Sequence, residues 1–294
     1  MGLMTVGELL AATGELFRAR GIQSPRLDAE VLLAHVLNVR RIDLYVDYSR
    51  PLDSEEIDSY RRLVARRLRN VPVAYLVGYK EFMGLKFSVN ENVLIPRPET
   101  EHLVEAVSDY LKAHGLDQSS SAILDMCTGC GAIGISLAVA FGQATIVAAD
   151  VSLPALRTAQ ANAAAHGVSD RFHCVRSDMF DRLPVDKLGG KFNVVVSNPP
   201  YLSEEDFRSL HPDVARSEPL IALDGGKDGL RFYRILADHS FGYLQPGGLL
   251  AMEIGASQAA QVMSMLKETG MYEDISVSRD FSGLDRVVTA CRRS

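Results

Sequence analysis

The sequence predicts an α/β protein with a doubly wound, mostly parallel sheet, preceded by a small all-helical domain. Three observations predict it. Before residue 72 no strand pattern occurs, and apolar residues recur at helical spacing. From residue 121 onward short apolar runs alternate with helical segments, the signature of β-α-β units. The first of those runs ends in a glycine-rich turn, where a strand feeds a helix beside a ligand.

In the first seventy residues Val6, Leu9, Leu10 and Phe17 share one helical face, as do Ala29, Leu32, Leu33 and Val36. Ser24-Pro25 is a helix start. Ser54-Glu55-Glu56-Ile57 opens another helix, with acids in its first turn and arginines in its last, matching the helix dipole. Phe82, Leu85, Phe87, Val89 and Val93 alternate loosely around Gly84 and the Asn90-Glu91-Asn92 turn, which predicts a short hairpin or an extended linker. In Ile95-Pro96-Arg97-Pro98-Glu99-Thr100-Glu101, Pro98 biases Arg97 towards an extended conformation, and a helix is expected over 99–114. Strands are then expected at 122–126, 145–149, 172–176, 192–197 and 249–254. Helices are expected at 132–141, 153–166 and 228–244, and a closing strand pair at 275–277 and 286–290. The expected domains are 1–78 (helical), 79–93 (hairpin linker) and 94–294 (α/β).

The 294 residues are 47% apolar and 23% charged, a balance that excludes a disordered or collagen-like chain. The net charge is −6. Residues 1–90 carry 13 basic and 11 acidic groups, the remainder 18 and 26, so the catalytic half offers no basic channel for nucleic acid. The one basic cluster, Arg61, Arg62, Arg66, Arg67 and Arg69, is expected to be a solvated helix face. The first apolar stretch contains Glu8 and Glu15 and has no basic lead, unlike a secretory signal. Met1-Gly2 is followed by Val6 where a myristoylation site has Ser or Thr. No apolar run is long enough to cross a membrane. Cys127, Cys130, Cys174 and Cys291 are too few for a disulfide scaffold. A cytoplasmic protein without membrane or direct nucleic-acid partners is expected, and a monomer, though the sequence leaves the oligomeric state open; no coiled-coil heptads occur. The histidines at 35, 102, 114, 166, 173, 211 and 239 lack partners at useful spacing and are expected to be structural.

Gly129, Gly131 and Gly134 satisfy G-x-G-x-x-G between a strand and a helix, and Asp150 ends the next strand, 21 residues after Gly129. Glycines let the backbone turn tightly and approach a ligand. The acid accepts hydrogen bonds from ribose hydroxyls. This pattern indicates an adenosine-containing cofactor without choosing between a dinucleotide and S-adenosylmethionine. Cys127 and Cys130 form C-x-x-C, but the second half of a zinc site is missing, so small-residue packing is expected there and no metal.

The fourth strand ends in Ser197-Asn198-Pro199-Pro200-Tyr201, facing the same crevice. Two prolines remove two backbone donors and stiffen the turn. The Asn198 amide oxygen and the Pro199 carbonyl remain as acceptors, beside the flat face of Tyr201. Such a set suits a planar –NH2 group. Two acceptors holding its hydrogens localise the nitrogen lone pair and stabilise positive charge as nitrogen attacks a methylsulfonium. Together, glycine loop, ribose acid and acceptor motif point to an amine or amide methyltransferase. An NAD-dependent oxidoreductase would leave Asn198 to Tyr201 unexplained, and a non-enzymatic binding module would not need them.

Four stretches carry a closer resemblance: Ala74-Tyr75-Leu76 through Gly84-Leu85-Lys86-Phe87, Leu94 to Glu101, Asn198 to Tyr201, and Ala222-Leu223-Asp224-Gly225-Gly226 with Asp228-Gly229-Leu230. On them the chain resembles the release-factor glutamine methyltransferases, the PrmC/HemK family. Its catalytic half resembles class I S-adenosylmethionine-dependent methyltransferases. The tetrapeptide alone is shared with adenine and guanine methyltransferases of DNA and RNA, which is the alternative activity. The resemblance implies a seven-stranded methyltransferase sheet, S-adenosylmethionine as cofactor, and methyl transfer to the glutamine of the Gly-Gly-Gln motif of peptide chain release factors. It further implies that Cys127, Thr128, Gly129, Cys130 and Gly131 line the methionine end of the cofactor and that Asp150 holds the ribose. Asp178 and Met179 would flank the adenine, and Asn198, Pro199, Pro200 and Tyr201 would hold the glutamine. Arg97 and Glu99 are expected to shape the substrate mouth, and Asp224 to Gly229 to close over the pocket. Cysteine stands at 127 where the family's first loop glycine falls, and a positive φ there would be costly.

Overall fold

The computed structural model describes residues 4–117, 119–181, 183, 191–209 and 217–294. Met1, Gly2 and His211 lie outside them. The chain divides into two compact units, one reaching Tyr79 and also taking in Ser217, the other starting at Lys80.

The first unit is helical: α1 (Val6–Ala19), α2 (Pro25–Leu37), α3 (Asp43–Val46), α4 (Ser54–Arg67) and α5 (Val73–Val77). Thr5 and Glu8 form a capping box at α1, and Asp53 and Glu56 form one at α4, so each helix starts where two orphan backbone donors are satisfied reciprocally. Phe17, Leu32, Leu33, Leu44 and Tyr60 fill one core. Of the expected arginine face, Arg61, Arg62, Arg66 and Arg69 are exposed, but Arg67 is not. It turns inward, 5% exposed, with Nε 2.7 Å from Asp28 Oδ2, because the helix periodicity puts it on the same face as Tyr60 and Val64.

A hairpin of β1 (Tyr79–Phe82) and β2 (Leu85–Ser88) follows. Its turn residues Met83 (φ 50°) and Gly84 (φ 70°) are both left-handed, as a two-residue turn matched to strand twist requires. A 3-10 turn, Pro98–Thr100, leads into α6 (Glu101–Ala113).

The second unit is then built as β3 (Ser121–Met126), α7 (Ala132–Ala140), β4 (Ala144–Asp150), α8 (Leu153–Ala165), β5 (Phe172–Arg176), β6 (Phe192–Ser197), the short α9 (Asp206–Ser209), α10 (Arg231–Tyr243), β7 (Leu244–Glu253), α11 (Ala259–Thr269), β8 (Tyr272–Arg279) and β9 (Asp285–Arg292). The sheet order is β5-β4-β3-β6-β7-β9-β8. β9 runs antiparallel to both neighbours, and the other pairs are parallel. Central strands read as unbroken apolar runs (Ile123-Leu124, Val194-Val195-Val196) because helices bury both faces. Chain order reverses beside β3, so the connections that leave β3 and β6 at their carboxyl ends run in opposite directions and leave a crevice there.

The structure departs from the sequence-based expectations in further places, and three bear on the second unit's layout. The helix α11 is not among the expected elements; only Ala259, Val262 and Leu266 of it are buried, too sparse a stripe to stand out. β7 begins at Leu244, five residues early, with Pro246, Gly247 and Gly248 disguising it and a register shift against β6 between Phe192 and Val194. α10 starts at Arg231 and not at 228, because Gly226 and Gly229 carry positive φ and hold a turn. Among the described residues no helix is long and apolar enough to cross a membrane.

Candidate active site

β3 ends by burying Asp125, whose Oδ2 accepts from Thr128 Oγ1 at 2.6 Å and from the Gly134 backbone N–H at 3.0 Å. One carboxyl thereby ties the loop's start to the first turn of α7. Burial pushes it up to about 7. Between these ties Cys127, Gly129 and Gly131 have φ of 62°, 56° and 85°. The left-handed conformation costs a cysteine roughly 1–2 kcal/mol. The packing around the thiol holds it: Sγ lies 3.8 Å from Met179 Sδ. A Cβ on Gly131 would fall 2.7 Å from Ile135 Cδ1, and one on Gly134 would fall 2.8 Å from Ile146 Cγ2, so both glycines let α7 close on the sheet. A Cβ on Gly129 would meet nothing within 4 Å.

Asp150 ends β4, and its carboxylate accepts from the Gly129 backbone N–H at 2.9 Å and the Ser152 N–H at 2.8 Å. Burial raises its pKa against these donors. Past β5, Met179 (φ 47°) is buried, and its carbonyl accepts from Ser177 Oγ at 2.7 Å.

These groups surround a cavity of about 260 Å³. Cys127, Gly129, Asp150, Asp178, Met179 and Asn198 line it, with Pro200. Thr128, Cys130 and Gly131 do not reach its wall; they shape the loop from behind, and burial pushes the Cys130 thiol up to about 12. All four cysteines are free thiols. Among the described residues no cluster of three or more His, Cys, Asp or Glu is placed to hold a metal ion. Asn92 to Leu94, Ile221, Arg231 and Phe232 also line it, and sequence reasoning did not single them out as site residues. They lie in a loop after the hairpin, in a 3-10 turn (Leu220–Ala222) and in the first turn of α10.

β6 carries the acceptor motif. Ser197 pairs with Met126 on one side and Met252 on the other, so Asn198 emerges between Cys127 and Glu253. Asn198 Nδ2 donates to Thr100 Oγ1 at 3.1 Å. Among the described residues nothing donates to Asn198 Oδ1 or to the Pro199 carbonyl. Tyr201 is half-buried beside a second, 370 Å³ cleft with Gly255, Gln258 and Arg286, and burial pushes its phenol up to about 12. Its carbonyl accepts from Gln258 Nε2 at 3.0 Å.

Asp224 to Gly229 closes over the motif, not over the cavity. Leu202 N–H donates to the Leu223 carbonyl and Gly225 N–H to the Leu202 carbonyl, both at 2.9 Å. A Cβ on Gly229 would lie 2.4 Å from the Tyr201 carbonyl oxygen. Asp228 caps the following turn by accepting from the Leu230 N–H. Arg97 lines neither cavity; its Nη2 donates to both oxygens of the buried Glu218, at 2.7 and 2.9 Å. Glu99 is exposed, and both charges lie near enough to bear on the Tyr201 hydroxyl.

Residues 8–78 match the family model described as the PrmC N-terminal domain, and residues 101–215 match the methyltransferase small domain. A release factor glutamine methyltransferase of Chlorobaculum tepidum is 42% identical over 283 residues, covering 96% of this chain and 95% of that one. One of Geobacter sulfurreducens is 38% identical, covering 97% and 96%. The solved T. thermophilus 16S rRNA N2 G1207 methyltransferase, in complex with AdoMet and guanosine, superposes with a TM-score of 0.52 at 17% identity, covering 73% of this chain and 50% of that one; the likeness is one of fold. With near-complete coverage at such identity, the chain belongs to the release factor glutamine methyltransferase family.

Proposed function

We propose that this protein transfers the methyl group of S-adenosylmethionine to the side-chain amide nitrogen of the glutamine in the Gly-Gly-Gln motif of peptide chain release factors. The observation that carries the reading is the pair of unused acceptors, Asn198 Oδ1 and the Pro199 carbonyl, on a rigid turn beside a cofactor-sized cavity.

The residues present fit the cofactor. Gly129 leaves open space at the cavity wall, and the Asp150 carboxylate, fixed by two backbone donors, keeps lone pairs for ribose hydroxyls. Met179 and Cys127 offer soft, polarizable surface to a purine and a thioether. When bound, S-adenosylmethionine supplies an electrophilic methyl group on a sulfonium.

The remaining work falls to this chain. Asn198 Oδ1 and the Pro199 carbonyl accept the two amide hydrogens of the glutamine, so the nitrogen lone pair leaves conjugation and points at the methyl. The same acceptors stabilise the positive charge that nitrogen gains as the new N–C bond replaces the sulfonium's S–CH3 bond, whose electron pair would stay on sulfur as a neutral thioether, and one proton then passes from nitrogen to water. Tyr201 gives the amide plane a flat wall, and Pro199-Pro200 keeps the acceptors from reorganising. The helical unit is proposed as the substrate-recognition domain, and Arg97 with Glu99 as the outer edge of the glutamine site.

Incubation with methyl-labelled S-adenosylmethionine and release factor tests the reading. Label on the glutamine of the Gly-Gly-Gln loop supports it, and label absent from the factor contradicts it.

A further inference from the structure

Glu253 is the last residue of β7 and is 1% exposed. Its neighbour Met252 pairs with Ser197, so register alone sets Glu253 beside Asn198 at the carboxyl ends of adjacent strands. The Thr100 hydroxyl and the Asn198 side chain lie near enough to favour its charged form, and its Oε2 is buried with no hydrogen-bond partner among the described residues. Nothing in the substrate mechanism above uses it. A carboxylate without a full complement of donors is expensive to bury and calls for a reason.

The polarity of the contacts supplies one. An amide side chain has one accepting end and one donating end, and only the accepting end of Asn198 is useful to a glutamine N–H. Asn198 Nδ2 donates to Thr100 Oγ1, which leaves the Thr100 hydroxyl proton for the Glu253 carboxylate. We propose that Glu253, through Thr100, is a positioning residue that fixes the Asn198 amide with Oδ1 towards the substrate. This rests on the proposed glutamine methylation. An ionised Glu253 accepts only, so the donors around it must face it, and Asn198 has one orientation. A neutral Glu253 donates to Thr100, whose hydroxyl then donates to Asn198 Oδ1 and turns the amide over.

Protonation of Glu253 therefore lowers turnover. Burial pushes this carboxyl up to about 7. The Thr100 and Asn198 donors and Arg286 on β9 pull it down, and Glu99 pushes it up. The phenols of Tyr201 and Tyr233 also face it, and burial keeps both neutral in this range. Arg286 is itself held by Asp280 at 3.0 Å and by the Ile254 carbonyl at 3.2 Å.

The test compares wild type, Glu253→Gln, Thr100→Val and Thr100→Ser with release factor and labelled S-adenosylmethionine, between pH 5.5 and 9. Wild-type kcat rises through about pH 7. Glu253→Gln, whose side chain presents both polarities, loses about tenfold in kcat and the pH step with it, while its affinity for S-adenosylmethionine stays within about twofold. Thr100→Val shows the same loss, and Thr100→Ser restores most of it. Melting curves show each variant folded. A Glu253→Gln enzyme with wild-type kcat and an unchanged pH step overturns the proposal, as does a fully active Thr100→Val. If wild type itself leaves the glutamine unlabelled, the proposed function fails first and takes this inference with it.

Discussion

Asn198 illustrates what a single residue shows in sequence and what it hides. Its place after a strand, ahead of two prolines and a tyrosine, marks it as an acceptor for a planar nitrogen. Its partner Thr100 is 98 residues away and Glu253 is 55 residues further on, and no short-range pattern links them. The account predicts that Asn198→Ala lowers turnover by about 10²-fold or more with cofactor affinity nearly unchanged, because one preorganised acceptor is lost. Stopped-flow or steady-state kinetics beside calorimetric binding separates the two effects. Asp150→Ala does the opposite: losing a charge-assisted pair of hydrogen bonds of roughly 1.5–3 kcal/mol weakens S-adenosylmethionine binding about 10- to 100-fold, read by calorimetry.

Asp125 adds a pH signature at the same scale. Its folded value, about 7, lies above its unfolded value near 3.8. Its contribution to stability is therefore fully present below about pH 4 and is lost as pH rises towards 7. Asp125→Asn, which keeps the acceptor and removes the charge, raises the melting midpoint at pH 8, and the gain shrinks to nothing near pH 4.

At the scale of elements, the parallel strands were legible because burial on both faces writes them as apolar runs between helices, and the glycine loop because Gly131 and Gly134 make close approaches and Gly129 takes a positive φ. α11 was not, since it buries a narrow stripe, nor was the length of β7, whose first half carries Pro246, Gly247 and Gly248. The role of Asp224 to Gly229 was also misplaced. Sequence marked it as functional, but only packing shows that it grips the backbone of Tyr201 and Leu202. Gly229→Ala places a methyl 2.4 Å from the Tyr201 carbonyl at a φ of 73°. It is expected to cost about 1–3 kcal/mol and to lower kcat more than cofactor affinity, which melting curves and kinetics together report.

Over the whole molecule, charge separates the two units: the basic excess lies in the first ninety residues and the acidic excess beyond. The helical unit's core was legible from its apolar spacing, but not the inward turn of Arg67, since a run of arginines looks uniform until neighbours decide which one is buried. Arg67→Ala removes a buried guanidinium and its charge-assisted hydrogen bond to Asp28, and about 1.5–3 kcal/mol of the stability of that unit is expected to go with it. Hydrogen exchange on α2 and α4 reads this locally.

The measurement that bears most directly on the central claim is methyl transfer from labelled S-adenosylmethionine, offered in parallel to intact release factor, to a Gln→Ala version of its Gly-Gly-Gln loop, and to DNA and RNA. The account predicts label on the intact factor alone. Label on nucleic acid, or undiminished label on the Gln→Ala factor, would contradict it.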